Sequence, residues 1–388
     1  MLCKIYFVLF PVCIIFRIFA PKYFKVSSKV KLHIFNPEHD MALAHGGTHF
    51  TLPHAVQEFR MSLGFMPALW ADDGDFVLVD DVLFAVKALA QCRKPHAEVV
   101  FVSKHDLRQL DLTCIDPWGW DRAVRQTLLD AGVGASVLPS DEYLACIRGL
   151  SDRRRTSDAL EFIRTGLEGV TCGECLFCAS SVEVEAALRR FGKIVVKAPW
   201  SSSGRGVKYV DGGFSVPMAG WIANTIARQG GVMVEPYYKK VKDFALEFYS
   251  DGNGNIEYCG ASVFKTDKSS YSGNLIAAEE EKLSALSEFL PASLLFDVIQ
   301  KFKDYFSEGS FRRYAGPFGV DMMVVTNDGG RGFLLHPCVE INVRRTMGHV
   351  ANVFKPALTA PVQFMHIVHD VNYRLKFDNL ENNFVKVI

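Results

Sequence analysis

The stretch from Leu334 to Gly348, L-L-H-P-C-V-E-I-N-V-R-R-T-M-G, constrains the fold more than any other part of the chain. As a strand its side chains alternate, so that Cys338, Glu340, Asn342 and Arg344 share one face while Val339, Ile341 and Val343 share the other. Upstream, Gly319 to Thr326 (G-V-D-M-M-V-V-T) reads as a second strand, joined through Asn327-Asp328-Gly329-Gly330, which has the residue types of a hairpin turn. Pairing Thr326 with Phe333 sets Asp321 opposite Cys338 and diagonal to Glu340, roughly 7 to 8 Å away on the same face. Two carboxylates and an amide at the mouth of a hairpin suit a hard divalent cation such as magnesium, so Asp321, Glu340 and Asn342 are the candidate metal ligands. Arg344 adds a rigid positive fork for a phosphate or carboxylate. A solvated edge strand is the competing reading; it fits less well, because asparagine is depleted in strands and a polar strand face normally carries Thr, Lys or Glu.

A chain of 388 residues has room for two or three domains around a large core. Its 43 basic and 43 acidic residues cancel, and no local basic patch stands out, so nothing points to nucleic acid. The ten cysteines mostly lie scattered in apolar stretches, as buried reduced thiols do, which implies a reducing compartment and a cytoplasmic protein. The exception is Cys172-Gly-Glu-Cys175-Leu-Phe-Cys178; zinc or an iron-sulfur cluster wants four ligands, no second pair follows nearby, and three ordinary thiols are the preferred reading.

Residues 1–28 carry an apolar run from Ile5 to Phe16, broken by Pro11 and too short for a confident membrane span. They read as a start assigned too far upstream or a weak membrane segment, without stable insertion. From Val30 the pattern is α/β. Strand-like runs at Val30 to Phe35, Phe76 to Val79 and Val99 to Val102 alternate with helical patterns at Ala55 to Leu63 and Val82 to Ala90, which argues a parallel sheet over residues 29–150. Helices are expected over Trp118 to Ala131 and Ser140 to Leu150, and Ser151 reads as the cap of a further helix whose first turn holds Arg153, Arg154 and Arg155. The loop Asn36-Pro37-Glu38-His39-Asp40 follows the first strand, where ligands gather in such sheets, so Asn36, Glu38 and Asp40 are candidate substrate contacts. The spread of His39, His45, His49 and His54 lacks metal-ligand spacing.

Ile194 to Pro199 (I-V-V-K-A-P) is a strand with a lone lysine, followed by Trp200-Ser201-Ser202-Ser203-Gly204-Arg205-Gly206 and a second strand from Val207. Small residues admit backbone N–H groups to phosphate oxygens, the serines add hydroxyls and Lys197 supplies a point charge. The order of a Walker A loop is missing, and Tyr209 stands where a dinucleotide fingerprint needs its third glycine. Further on, Gly231 to Val234 is an apolar strand that opens into Glu235-Pro236-Tyr237, an extended segment able to read an adenine edge, with Glu235 accepting from the exocyclic amine. In Asp243 to Tyr249, Glu247 faces away from Leu246 and Phe248.

This ordered set, the Lys197 strand, the serine/glycine loop, the Glu235 hinge, Glu247, Asp321 and Glu340-x-Asn342-x-Arg344, resembles the ATP-grasp superfamily over about residues 150 to 350. The resemblance implies a parallel α/β domain (29–150) followed by two α+β lobes (151–234 and 235–388), with ATP between the lobes. It implies that Lys197, Ser202, Ser203 and Gly204 meet the phosphates, that Glu235, Pro236, Tyr237 and Glu247 line the nucleotide site, and that Asp321, Glu340 and Asn342 hold Mg2+. Arg344, with Lys197, would serve the phosphoryl transfer. Where the family often has a lysine near the start of this domain, the chain has Arg153 to Arg155.

The implied activity is ligation of a carboxylate to an amine through an acyl phosphate, with a mobile Ser201 to Gly206 lid excluding water. Tyr271, Gly273 and Asn274, in the stretch Phe264 to Asn274, join the substrate candidates, with a plain surface loop as the competing reading. The partners expected are small acids and amines, and a homo-oligomer is compatible with the sequence. The alternatives are a small-molecule kinase on the same nucleotide site and a nucleotide-binding protein without turnover.

Overall fold

The computed structural model describes residues 30–380 apart from 93, 202–205, 268–269, 328, 331 and 359. Two expectations therefore lie outside the described residues: the segment 1–28, and Ser202, Ser203 and Gly204 of the serine/glycine loop.

The first layer is a parallel sheet of β1 (Lys31–Ile34), β2 (Phe76–Leu78), β3 (Val100–Val102) and β4 (Cys114–Pro117), in the order β3-β2-β1-β4. Helices α1 (His39–His45), α2 (His54–Leu63), α3 (Val82–Cys92), α4 (Arg122–Asp130) and α5 (Asp141–Leu150) connect and follow these strands. Strand β4 was not legible, since C-I-D-P has one large apolar residue and ends on proline. It ends at Pro117, and Trp118 N extends its pairing with β1 by donating to Ile34 O (2.7 Å), so the helix expected from Trp118 begins instead at Arg122, where the Asp121 carboxylate accepts from Val124 N (2.8 Å) and caps the first turn.

The second layer is the antiparallel sheet β5 (Leu176–Cys178), β6 (Lys193–Lys197), β7 (Val207–Asp211) and β8 (Val232–Pro236), ordered β5-β8-β6-β7. It follows α6 (Arg154–Arg164) and is backed by α7 (Ser181–Phe191) and α8 (Val216–Gln229), which bury Val184, Ala187 and Ile222 against Ile194, Val196 and Val232. Ser151 does not cap α6. It ends α5, its hydroxyl donating to Ile147 O (2.8 Å), and Arg153 occupies the cap of α6.

The third layer is a seven-stranded antiparallel sheet of β9 (Lys240–Asp251), β10 (Ile256–Asp267), β11 (Ser270–Ile276), β12 (Ala315–Thr326), β13 (Phe333–Asn342), β14 (Gln363–His369) and β15 (Tyr373–Asn379), ordered β13-β12-β9-β10-β11-β14-β15. Helices α9 (Glu279–Ser287) and α10 (Ala292–Phe306) cover one face and α11 (Met347–Val353) packs near β10 and β11. Leu294, Leu295, Val298, Phe302 and Phe306 form the apolar stripe of α10 and pack with Phe244, Phe248 and Phe318 of the sheet. The α/β plus α+β layout expected from the sequence is the one observed.

Two features of the packing cross the expected boundaries. Helices α5 and α6 bury Ile147, Leu150, Leu160 and Ile163 in the core of the seven-stranded sheet, not in that of the smaller sheet. Met365 of β14 and Leu375 of β15 pack with Phe35, Leu63 and Trp118 of the first domain, closing the C-terminal strands onto it. Among the described residues no single helix is long and apolar enough to cross a membrane.

The β12–β13 register departs from expectation in a way that matters for the site. Thr326 does pair with Phe333, but the register shifts between Asp321 and Met323, so that Asp321 stands directly opposite Glu340 and Gly319 opposite Asn342. Met323 pairs with His336, and the extra residues lie on β13 around Pro337, which has no N–H to give the ladder. The irregularity also puts Cys338 into the core with Ile341 and Val343, and not in the row of polar ligands.

Candidate active site

One cavity of about 770 Å³ opens between the three layers, within the range of small-molecule sites. Its floor is the β9–β12–β13 surface. Glu247 from β9, Asp321 from β12 and Glu340 and Asn342 from β13 all reach it, because neighbouring antiparallel strands put residues in register on one face. Glu247 pairs with Gly319, which has no side chain to separate the carboxylates. A Cβ added at Gly319 would lie 2.4 Å from Glu247 Oε2, and one at Gly348 would lie 1.9 Å from Glu247 Oε1, so both positions need glycine for the carboxylate to fit.

This floor is negative and crowded. Asp321 is pushed up to about 8, first by burial and then by the Glu340 and Glu247 carboxylates. Glu247 Oε2 is buried without a hydrogen-bond partner. It lies 3.0 Å from His349 Nδ1, but that nitrogen accepts from Thr346 N (3.2 Å) while His349 Nε2 faces Phe248 O (3.1 Å), an arrangement that leaves no proton for the carboxylate on a neutral ring. Among the described residues no three His, Cys, Asp or Glu side chains form a metal group by themselves. Asp321, Glu340 and Asn342, an all-oxygen set beside an orphaned carboxylate oxygen, fit a hard cation whose remaining ligands come from a phosphate or water.

The opposite wall is the smaller sheet. Lys197, buried on β6, sends Nζ to Glu235 Oε1 (2.6 Å) and to Val339 O (3.1 Å), so it spans from its own sheet to β13. The Glu235 carboxylate, opposite Val195 on β8, is thus bound to lysine and not left free for an exocyclic amine. Burial would lower the Lys197 ammonium, but the Glu235 carboxylate outweighs it and the net direction is upward. Pro236 and Tyr237 line the cavity as expected, yet Tyr237 N donates to Lys193 O (2.9 Å), which removes one backbone donor from the hinge. The serine/glycine loop is pinched at its base: Ala198 N donates to Gly206 O (2.8 Å), and the backbone of Trp200 is bracketed by Gln229.

Arg153 is the residue that sequence reasoning left open and the structure makes central. It is 5 % exposed and donates to Ala198 O (2.6 Å), Ser201 Oγ (2.7 Å) and Glu340 Oε1 (2.6 Å), linking the loop to the acidic floor. Its neighbour Arg154 turns back to Asp152 (2.9 Å from Nε) and Arg155 to Asp158 (2.8 Å), so the three arginines are not equivalent. The sequence signals were the unusual placement of cations at a helix start, where they oppose the dipole, and the position of Arg153 to Arg155 where the resembled family often has a lysine.

The substrate candidates separate. Asp40 lines the cavity and holds Arg344 in a bidentate pair, Oδ1 to Nε at 2.9 Å and Oδ2 to Nη2 at 2.8 Å. Arg344 is therefore not a free fork in this state; it also donates to Asn342 Oδ1 (3.1 Å). Asn36 and Glu38 do not line the main cavity. Asn36 is buried, donating to Gly119 O (2.9 Å) and Asp121 (3.3 Å), and Glu38 pairs with Arg60 (2.8 Å), so both organise the loop. Tyr271 and Asn274 do line it, the tyrosine hydroxyl donating to Asn274 Oδ1 and Asn274 Nδ2 to Ser262 Oγ (2.6 Å).

The thiols of the C-x2-C-x2-C run do not gather: Cys175 belongs to the large core near Glu235, Cys178 to the core of the small sheet, and Cys172 is half-buried. Burial pushes Cys172 up to about 12 and Cys178 up to about 11, the behaviour of protonated thiols.

No family model matches the chain, and no curated protein matches it. Solved structures similar in fold include N5-carboxyaminoimidazole synthetase from Staphylococcus aureus complexed with ADP, at 14% identity, covering 89% of this chain and 84% of that one with a TM-score of 0.46. Biotin carboxylase from Campylobacter jejuni is similar at 12% identity, 87% and 75% coverage and a TM-score of 0.49. The biotin carboxylase domain of the Hydrogenobacter thermophilus 2-oxoglutarate carboxylase, a dimer with MgADP, ADP and bicarbonate, is similar at 11% identity, 87% and 74% coverage and a TM-score of 0.48. The layout of this chain, a parallel α/β domain followed by two antiparallel lobes enclosing one cavity, is the layout that resemblance to the ATP-grasp superfamily implies.

Proposed function

We propose that the protein is an ATP- and magnesium-dependent ATP-grasp ligase that joins a carboxylate to an amine through an acyl phosphate. The observation that carries this reading is the junction of the two lobes at one point: Lys197 of the small sheet bonds Val339 O of the β13 strand, and Arg153 joins Ser201 to Glu340. Lys197 lines the cavity together with the Asp321, Glu340 and Glu247 carboxylates, and Arg153 reaches Glu340 from a small adjoining pocket that Asn342 also lines, a charge pattern that a triphosphate and a divalent cation would complete.

In the proposed reaction a carboxylate oxygen of the acid attacks the γ-phosphorus of ATP, the bond to the bridging oxygen breaks, and ADP leaves. The amine nitrogen then attacks the acyl carbon, inorganic phosphate departs, and the nitrogen loses a proton. Lys197 and Arg153 would neutralise the transferring phosphoryl oxygens as fixed charges, needing no reorganisation in the transition state. Asp321, Glu340 and Asn342 would hold magnesium, which supplies further charge neutralisation on the phosphate oxygens when bound. Val195, Val207, Tyr209 and Tyr237 give the small-sheet wall apolar surface for the base.

Hydroxylamine trapping tests this. With MgATP and pooled carboxylic and amino acids, phosphate release should be accompanied by a hydroxamate of one acid. A stable phosphorylated product without hydroxamate would replace the ligase with a kinase.

A further inference from the structure

The half of the cavity farthest from the small sheet has a composition that singles out a ligand class. Phe35, Phe59 and Trp118 of the first domain, with Met347 and Ile367, line it. Phe35 and Trp118, both buried, meet edge to face with centroids 5.1 Å apart, and the half-buried Phe59 lies 5.9 Å from Phe35, so the rings form one aromatic cluster at the cavity wall. Arg345 N donates to Trp118 O (2.8 Å), fastening this wall to the end of the strand that carries Arg344. Among the described residues the first domain contributes one charged side chain to the cavity, Asp40, and it is already paired with Arg344.

Charge balance narrows the choice. Among the described residues the basic groups that line the cavity are paired: Lys197 with Glu235, Lys240 with Asp243, Lys193 with Asp211 and Arg344 with Asp40. A phosphorylated acceptor would bring two negative charges to a first-domain wall whose one charged side chain among the described residues is the Asp40 carboxylate, beside a floor already crowded with carboxylates. A zwitterion is different. Its carboxylate can take the Arg344 fork and its ammonium the Asp40 carboxylate, exchanging one pair for two with no change in net charge.

We propose that the acid substrate is an α-amino acid with a bulky apolar side chain, aromatic or branched aliphatic, held by the Asp40–Arg344 pair with its side chain on Phe35, Phe59 and Trp118. This rests on the ligase reading for the fate of the carboxylate, but the binding itself does not need ATP turnover.

The test is calorimetry on the full chain with L-phenylalanine, L-leucine, glycine and ribose 5-phosphate, each with and without a non-hydrolysable ATP analogue and magnesium. L-phenylalanine or L-leucine should bind about ten- to hundredfold tighter than glycine, the gain expected for burying such a side chain. Phe59→Ala should weaken L-phenylalanine at least about tenfold while leaving the affinity for the nucleotide analogue unchanged, and Asp40→Asn should weaken L-phenylalanine at least about tenfold. Glycine or ribose 5-phosphate binding as tightly as L-phenylalanine, or no binding of either apolar amino acid in both conditions, overturns the proposal on the wild-type protein alone. Nucleotide binding without apolar amino-acid binding sinks only this inference. Apolar amino-acid binding without nucleotide binding sinks the ligase reading and leaves this one standing.

Discussion

Arg153 Nη2 reaches Glu340 Oε1 at 2.6 Å, joining the cap of α6 to the floor of the cavity across 187 positions of sequence. The same guanidinium holds Ala198 O and Ser201 Oγ, so a single side chain positions both the start of the serine/glycine loop and a candidate metal ligand. Arg153→Lys keeps the charge but cannot span three acceptors, because an ammonium lacks the planar fork. We expect kcat/KM for MgATP to fall about ten- to hundredfold, the worth of one or two charge-assisted hydrogen bonds. Steady-state ADP formation checks this, and unchanged kinetics in Arg153→Lys would remove Arg153 from the site.

Glu340→Ala and Asn342→Ala should each abolish magnesium-dependent ADP formation while the fold survives. Both side chains are only partly buried at the mouth of the hairpin, so their loss costs little packing. Circular dichroism establishes the fold, and a double variant with wild-type turnover would end the assignment.

Lys197→Ala should weaken ATP binding and also destabilise the protein, since it leaves the Glu235 carboxylate, 3 % exposed, without its partner. Breaking a buried pair from one side costs about 3–5 kcal/mol. The double variant Lys197→Met/Glu235→Leu should regain most of that stability in urea denaturation but none of the nucleotide affinity. Recovery of affinity along with stability would show Lys197 to be structural.

Gly348→Ala places a methyl group where Glu247 Oε1 now lies, 1.9 Å from the added carbon and 2.5 Å from Ser262 Oγ. Overpacking of this kind costs about 1–3 kcal/mol. Adding Glu247→Ala should return part of the loss, measured as urea midpoints, because the tighter of the two clashes is with that carboxylate and the other, with Ser262, remains. Equal destabilisation in the single and double variants would refute the steric account.

Asp116 supplies a pH signature away from the cavity. Burial alone would raise its carboxyl, but Arg345 Nη2 at 2.9 Å and the His33 ring at 3.0 Å outweigh burial and hold it below the ordinary 3.8. A depressed folded value means the stabilisation is present above 3.8 and is lost as pH falls through the lower folded value. The difference in unfolding free energy between wild type and Asp116→Asn should therefore be flat from neutral pH to about 5 and shrink below about 4. A difference that grows on acidification would reverse the assigned sign.

The sequence determined what depends on local order and side-chain type. The alternation in Asp243–Tyr249 put Glu247 on the face opposite Leu246 and Phe248, the turn residues at Asn327 to Gly330 set the start of the hairpin, and the strand–loop–strand around Lys197 gave the small-sheet hairpin. What it could not decide were pairings made by residues far apart in the chain. Whether Asp321 faces Cys338 or Glu340 depends on an irregularity near Pro337, where the proline marks a break in the ladder but not the size of the register shift. Whether Arg344 is free, or Glu235 reads an adenine, depends on which partner the folded chain delivers: Asp40 from 304 positions away, and Lys197 from the neighbouring strand. A buried charge takes whichever counter-charge the packing brings within reach, because leaving it unpaired costs several kcal/mol. Only the assembled sheets specify that choice, and they also bring Phe35, Phe59 and Trp118 of the first domain to the wall of a cavity whose floor lies in the last.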